Sequence, residues 1–120
     1  MNTFGKMLRE KRRVAQLSQR QLAERAGVDF SYVSKLENGR FPPPAAATVC
    51  RLAAILDCPA EDLLAAARKM PVGVDAALAQ PTAVRFLQEA SRLRLSPGEW
   101  EQLLGKLYGL RSEGSEEGDV

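Results

Sequence analysis

Apolar residues recur at helical spacing along most of the chain, and short polar or Pro/Gly segments separate the runs. The pattern predicts an all-α fold, with five helices in residues 1–70, a hinge at 70–73 and a smaller helical region over 71–111. Residues 112–120 are rich in Gly, Ser and acids, a composition that predicts a disordered acidic tail. The predicted helices cover Phe4–Ala15, Gln19–Arg25, Phe30–Asn38, Ala45–Asp57, a segment opening at Pro59, a short turn within Val74–Ala79, Pro81–Arg94 and a segment opening at Pro97. Ser96 and Glu99 have the spacing of a capping box at the start of the last of these.

The second and third predicted helices are joined by a tight turn around Gly27. Ser18 and Gln21 have the spacing of a capping box, which marks the start of the second helix. Gly27 falls where a helix ends in a left-handed conformation that glycine adopts most easily. Asp29 is a candidate cap for the third helix, and Asn-Gly at 38–39 ends it. Two short helices joined in this way predict a helix-turn-helix, whose second helix enters a DNA major groove.

A run of residues across this motif resembles one known family. The pattern consists of Leu17-Ser18-Gln19, Leu22-Ala23, Ala26-Gly27-Val28, Val33-Ser34, Leu36-Glu37-Asn38-Gly39-Arg40 and Pro42. It resembles the XRE family of helix-turn-helix regulators, which includes the lambdoid phage repressor and Cro. The resemblance covers roughly residues 1–70 and implies a five-helix, repressor-like DNA-binding domain.

The resemblance also implies which residues contact DNA. By position in the family pattern, Phe30, Ser31 and Lys35 would meet base edges. Lys35 can donate to guanine O6 or N7, and Ser31 can bond several bases. Phe30 can either pack on a thymine methyl or fold back on the core as a staple. The expected phosphate contacts are Gln19, Tyr32, Ser34, Asn38, Gly39 and Arg40, with backbone N–H groups and a guanidinium as donors at residues 38–40.

Two further positions follow from the same resemblance. In the phage repressors an arginine late in the first helix pairs with the glutamate before Asn-Gly, and Arg12 and Glu37 hold these positions here. Such a pair fixes the orientation of helices more than it adds net stability. Gln16 stands where the family usually has glycine. The turn after the first helix is therefore expected to be strained or differently shaped.

The charge is distributed unevenly between the two halves of the chain. The net charge of the whole chain is +2. Residues 1–44 contain nine Lys and Arg against four Asp and Glu, a net of +5, whereas residues 45–120 contain eight against eleven, a net of −3. The basic half carries the helix-turn-helix, as expected if its partner is nucleic acid. A solvated basic face would show the same charge pattern.

The C-terminal helices carry an apolar face that is too rich to be left in water. Because a twofold dimer reads two half-sites about 34 Å apart, we expect this face to form a homodimer. Packing against the first domain and binding of another protein are the alternatives. The residues of the expected interface are Phe86, Leu87, Trp100, Leu103, Leu104, Leu107 and Tyr108.

Other chemistry has little support in the sequence. The chain has no histidine and two cysteines, Cys50 and Cys58, which are expected to be small buried hydrophobes and not metal ligands or a disulfide. It lacks a glycine-rich phosphate loop and a convergent pair of acids, so no enzyme, catalytic residue, metal or cofactor is expected. It also lacks a signal-peptide pattern and an apolar run long enough to cross a bilayer. These features predict a cytoplasmic protein with no membrane partner.

The sequence therefore predicts a DNA-binding transcriptional regulator, a repressor that binds an inverted repeat as a homodimer. The alternative is a protein-interaction module, antitoxin-like or protease-regulated, whose C-terminal helices bind another protein. A stable hetero-complex at those helices would distinguish the interaction module from the homodimeric repressor.

Overall fold

The computed structural model describes the backbone of residues 3–71 and 73–118 and the side chains of residues 3–71 and 73–111. All the regular elements of the described residues are helices, with no strand among them, so the predicted all-α class is confirmed. The chain divides into two compact units, Met1–Asp75 and Ala76–Val120. The helices are α1 Thr3–Val14, α2 Gln19–Ala26, α3 Phe30–Glu37, α4 Ala46–Ile55, α5 Ala60–Ala67, α6 Val74–Ala77, α7 Pro81–Leu93 and α8 Pro97–Gly118.

The core of the first unit is built by helices α1 to α5. Each of them contributes a side chain that is almost entirely removed from solvent: Leu8, Leu22, Leu36, Val49 and Leu63. Helix α1 packs against α3 and α5, α2 against α3 and α4, and α4 against α5. Burying each of these side chains contributes about 1.5–3 kcal/mol to the stability of the fold. Because α2 and α3 each bury a leucine here, the same core holds both helices.

Four helices of the first unit end in the same hydrogen-bonded turn. After α2, Val28 N–H donates to Ala23 O at 3.0 Å and Gly27 adopts φ 71°. This is a Schellman motif, in which glycine has no steric penalty. The turn after α1 has the same hydrogen bonding, with Gln16 at φ 60° in the glycine position. The expectation of a strained turn at Gln16 is thus confirmed. Asp57 after α4 and Arg68 after α5 are also left-handed.

Helix starts agree with the sequence at two positions and differ at a third. Ser18 and Gln21 form both hydrogen bonds of the predicted capping box of α2. Ser96 and Glu99 do the same at α8, with N···O distances of 2.9 and 3.1 Å. Asp29 occupies the cap position of α3 in an extended conformation, but its side chain makes no capping hydrogen bond. The prediction of an Asp29 side-chain cap was therefore wrong.

The second unit consists mainly of α7 and α8. Helix α7 opens with Pro81 at its first position, where the missing N–H has no helical partner. Helix α8 continues to Gly118 and so enters the segment 112–120, for which composition predicts disorder. Residues 119–120 lie outside the described residues. No helix in the described ranges has the length and apolar character that crossing a bilayer requires.

Candidate nucleic-acid interface

The inner and outer faces of α2 and α3 are set by their apolar spacing. In α2 the buried residues are Leu22, Ala23 and Ala26, and in α3 they are Val33 and Leu36 with Glu37. Since these residues recur three or four apart, each helix turns the remaining positions away from the core. The first turns of both helices and one face of α3 therefore remain on the surface.

Glu37 is a buried carboxylate at the end of α3, with its side chain 0% exposed. Arg12 of α1 binds it in bidentate fashion, with Nε 2.6 Å from Oε2 and Nη2 3.0 Å from Oε1. The predicted pair of Arg12 and Glu37 is thus present. Arg12 also donates through Nη1 to Leu17 O at 2.9 Å, in the α1–α2 connection. One guanidinium therefore links the last turn of α1, the α1–α2 connection and the end of α3.

Two further side chains complete this cluster. Gln19 Nε2 lies 3.0 Å from Glu37 Oε1, and Arg9 Nε lies 3.4 Å from the same oxygen. Burial alone would raise the pKa of Glu37, but the hydrogen bonds from Arg12 and Gln19 outweigh it and hold the pKa below the ordinary value of 4.5. Glu37 is therefore charged at neutral pH, and it fixes the first residue of α2 against the last residue of α3.

This geometry changes the role available to Gln19. The family resemblance implies a phosphate contact for Gln19, yet its amide nitrogen donates to Glu37 inside the protein. Its amide oxygen and the first turn of α2 remain for a ligand. A helix N-terminus attracts anions, so the position stays suited to phosphate while the side chain is held in place.

The three predicted base-contact residues differ in exposure. Phe30 is 41% exposed and Ser31 is exposed, whereas Lys35 is half-buried. The Lys35 ammonium lies 5.1 Å from the centre of the Phe41 ring. The guanidinium carbon of Arg20 lies 4.6 Å from the centre of the Phe30 ring. Phe30 is not part of the buried core cluster, so it is a surface ring covered by a cation and not a staple on that core.

The predicted phosphate contacts on α3 are half-buried. The ring of Tyr32 packs partly against the core, and its centre lies 5.8 Å from that of Phe41. Ser34 is half-buried on the same helix. Tyr32, Lys35 and Phe41 thus form one aromatic and cationic group beside the outer face of α3.

The corner at residues 38–40 is exposed, but its backbone donors are already used. Asn38 N–H donates to Ser34 O at 3.0 Å, Gly39 N–H to Leu36 O at 3.3 Å and Arg40 N–H to Lys35 O at 2.9 Å. The expectation that these N–H groups are offered to phosphate therefore needs correction, because they close the end of α3. Gly39 provides the left-handed turn at φ 82°. The Asn38 amide and the Arg40 guanidinium remain as side-chain donors.

Sequence reasoning missed three residues of this surface. Arg9, Arg20 and Phe41 each contact a predicted site residue, namely Glu37, Phe30 and Lys35 respectively. No local spacing connects these pairs, which are 28, 10 and 6 positions apart. Only the packing of α1, α2 and the segment after α3 brings them together.

The second unit carries the predicted apolar face. Phe86 and Leu87 on α7 are 49% and 45% exposed, and Leu103 on α8 is half-buried. The other predicted interface residues on α8 are exposed: Trp100 43%, Leu104 41%, Leu107 59% and Tyr108 68%. That a second copy of the chain covers these residues stays a prediction. Among the described side chains, no group of three metal-ligating residues comes together.

Comparison with known proteins adds a family match. The family model described as helix-turn-helix domain matches residues 3–67, which contain α1 to α5. The chain is 46% identical over 67 residues to the uncharacterized HTH-type transcriptional regulator RghRB of Bacillus subtilis (strain 168), covering 56% of this chain and 48% of that protein. It is 39% identical over 64 residues to the HTH-type transcriptional repressor RghR of the same organism, covering 53% and 47%.

The chain thus spans about half the length of the curated relatives it matches. Among solved structures, the N-terminal DNA binding domain of SinR from Bacillus subtilis is similar, at 30% identity and a TM-score of 0.49. That likeness covers 53% of this chain and 93% of the other.

Proposed function

The chain belongs to the helix-turn-helix domain family, since the family model matches residues 3–67, and on that premise we propose that it is a sequence-specific DNA-binding transcriptional regulator. The proposal rests on the outer face of α3, which is open to a ligand. Glu37, through its contacts with Arg12 and Gln19, holds the first turn of α2 beside that face. A rigidly held pair of helices with a polar outer face is what insertion into a major groove requires.

Charge supports a nucleic-acid partner. Residues 1–44, which include α1 to α3, have a net charge of +5 from nine basic and four acidic side chains. When Lys and Arg side chains neutralise DNA phosphates, bound counterions are released, and this release dominates the affinity for non-specific DNA. The proposal assigns phosphate contacts to the first turn of α2, to Ser34 and Tyr32, and to the side chains of Asn38 and Arg40.

Base recognition is assigned to the outer face of α3. Lys35 can donate to guanine O6 or N7, and Ser31 can bond several bases. Lys35 is held near the Phe41 ring, which limits the freedom of its long side chain before binding.

Repression by a homodimer is the finer part of the proposal. The relative RghR carries the name of a transcriptional repressor, which favours repression as the mode of regulation. The exposed apolar face of α7 and α8 favours a second copy of this chain as its cover. A twofold dimer would present two α3 helices to half-sites about one helical turn apart, so the operator is an inverted repeat.

A second candidate function rests on the same apolar face. If α7 and α8 hold another protein in place of a second copy, the chain is an interaction module of the antitoxin or protease-regulated kind. The observation that favours it is the exposure of Trp100, Leu107 and Tyr108 in a unit separate from the DNA-binding helices. It predicts a stable hetero-complex and does not exclude DNA binding.

Selection of random duplex DNA on the purified protein tests the proposal. Enrichment of an inverted repeat would support both specific recognition and twofold symmetry. A single half-site would remove the dimer, and no enriched sequence at moderate salt would contradict specific recognition.

Two variants then separate base from phosphate contacts. Lys35→Ala is expected to lower affinity for the selected site by about 1–3 kcal/mol and to relax preference at one base position. Arg40→Ala should weaken selected and random duplexes alike and reduce the salt dependence of binding by about one charge. Equal losses on selected and random DNA for Lys35→Ala would contradict its assignment.

A further inference from the structure

Arg20 and Phe30 form a cation–π pair across the first turns of α2 and α3. The guanidinium carbon lies 4.6 Å from the ring centre, within the range of a cation–π contact. Both residues are exposed, with Phe30 at 41%. Among the residues that the structure describes, the Arg20 guanidinium has neither a hydrogen bond nor an ion-pair partner. Its donors are therefore available to a ligand.

The pair lies on the surface that the proposed function gives to DNA. Arg20 follows Gln19, whose amide is fixed on the buried Glu37, and Phe30 precedes Ser31. The backbone positions of both partners are thus set by rigid helices. Because the ring and the guanidinium touch, the donors of Arg20 lie beside the first turn of α3.

A cation–π contact at this distance leaves N–H donors for a ligand, because a guanidinium carries five donors in a fixed planar fork and no hydrogen bond within the described residues uses those of Arg20. A ring contact also restricts a side chain that would otherwise lose much rotamer freedom on binding. An arginine held in this way is prepared for bidentate donation to a planar acceptor pair, and guanine O6 and N7 form such a pair in the major groove.

We propose that Arg20 is a specificity-determining residue that recognises a guanine, and that Phe30 acts as the positioning residue that holds its guanidinium. This inference rests on the proposed function and deepens it. It replaces the direct contact between Phe30 and a thymine methyl with a contact made through Arg20.

The test uses the full chain and the duplex that the wild type selects. Binding is measured for Arg20→Ala, Arg20→Lys, Phe30→Leu and Phe30→Tyr, on the selected duplex and on duplexes with single base changes. Arg25→Ala is the matched control, because Arg25 is an exposed residue of the same helix and its loss changes the net charge equally. Far-ultraviolet circular dichroism and thermal unfolding verify that every variant is folded.

Arg20→Ala is expected to lower the preference for one guanine by roughly 5- to 150-fold and to leave other positions unchanged. Arg20→Lys should retain only part of the preference for that guanine, since a lysine ammonium lacks the planar pair of donors of a guanidinium. Phe30→Leu should lose preference at the same guanine, while Phe30→Tyr, which keeps the ring, should retain it. Arg25→Ala should change no base preference.

Three results would overturn the inference. If Arg20→Ala weakens selected and random duplexes equally, Arg20 contacts phosphate and not a base. If Phe30→Leu loses preference at an A·T pair that Arg20→Ala leaves unaffected, Phe30 makes its own contact with the thymine methyl. If the wild type selects a sequence and Arg20→Ala selects the same one, the Arg20 assignment alone fails. A wild type that selects nothing would instead overturn the proposed function itself.

Discussion

At Glu37, three side chains from α1 and α2 converge on one carboxylate that is 0% exposed. Replacing it with glutamine keeps the shape but leaves the Arg12 guanidinium, whose side chain is 12% exposed, without its counter-charge. Removing one partner of a buried ion pair is strongly destabilising. We expect Glu37→Gln to lower the free energy of unfolding at neutral pH by about 3 kcal/mol, measured by urea denaturation.

The same variant predicts a pH dependence. The folded-state pKa of Glu37 is lowered, so its stabilisation is complete above the ordinary value of 4.5 and is lost as the pH falls through the lower folded value. The difference in stability between wild type and Glu37→Gln should therefore narrow as the pH decreases below 4.5. Glu24→Gln, at an exposed position of α2, is the control and should change little. A difference that stays constant in acid would contradict the role of the Glu37 charge.

The family pattern correctly implied one contact inside the protein, whereas the N–H donors that it implied for phosphate at residues 38–40 are used within the protein. Arg12 and Glu37 pair as the resemblance implies, with an Nε–Oε2 distance of 2.6 Å. The contact of Arg20 with the Phe30 ring could not be predicted, because it depends on how two helices place their side chains in space. The base and phosphate contacts themselves stay predictions.

At the scale of elements, α1 and α2 end in the same Schellman motif with different residues at the left-handed position. Gly27 has φ 71°, and a Cβ added there would meet nothing within 4 Å, so the substitution Gly27→Ala acts through backbone strain alone. It should lower the free energy of unfolding by about 1–2 kcal/mol. Gln16, at φ 60°, already carries such strain. Gln16→Gly should raise the free energy of unfolding by about 0.5–1 kcal/mol, after the greater freedom of the unfolded chain is subtracted.

Thermal and urea denaturation of both variants test this pair of expectations. A destabilising Gln16→Gly would mean that the glutamine side chain makes a stabilising contact that outweighs its backbone strain. A neutral Gly27→Ala would mean that the turn after α2 adopts another conformation without loss. Because the two motifs share their hydrogen bonding, opposite signs are the expected result.

Local sequence signals predicted two of the three helix starts correctly. Ser18 with Gln21 and Ser96 with Glu99 form the capping boxes that their spacing predicts. Asp29 did not cap α3 with its side chain, although its residue type and position suit a cap. At the other end of the chain, α8 continues to Gly118 through residues that composition assigns to a disordered tail.

For the whole molecule, the sequence predicts a division at residues 70–73 and an apolar face beyond it, but it does not identify what covers that face. The division after Asp75 falls close to the predicted hinge at 70–73. The apolar spacing of α7 and α8 predicts a buried face, yet spacing cannot name the molecule that buries it. An oligomer is decided by complementarity between two surfaces, and a single sequence shows only one of them.

If a second copy covers α8, Leu107 lies within the stripe formed by Trp100, Leu103 and Leu107 at helical spacing, and it is 59% exposed in the single chain. Leu107→Glu would place a charge in the interface of both protomers and remove two leucines, each contributing about 1.5–3 kcal/mol. We expect the variant to sediment as a monomer at concentrations where the wild type is a dimer. Its affinity for an inverted repeat should fall much more than its affinity for one half-site.

The matched control is Gln102→Glu, which adds the same charge at an exposed position of α8 outside the stripe. It should leave both the mass in sedimentation and the preference for the inverted repeat unchanged. A wild type that is monomeric and binds only one half-site would contradict dimerisation. If Leu107→Glu also abolished a hetero-complex, α8 would bind another protein, as the interaction-module alternative requires. Retention of the dimer by Leu107→Glu would instead show that the twofold contact lies elsewhere in the chain.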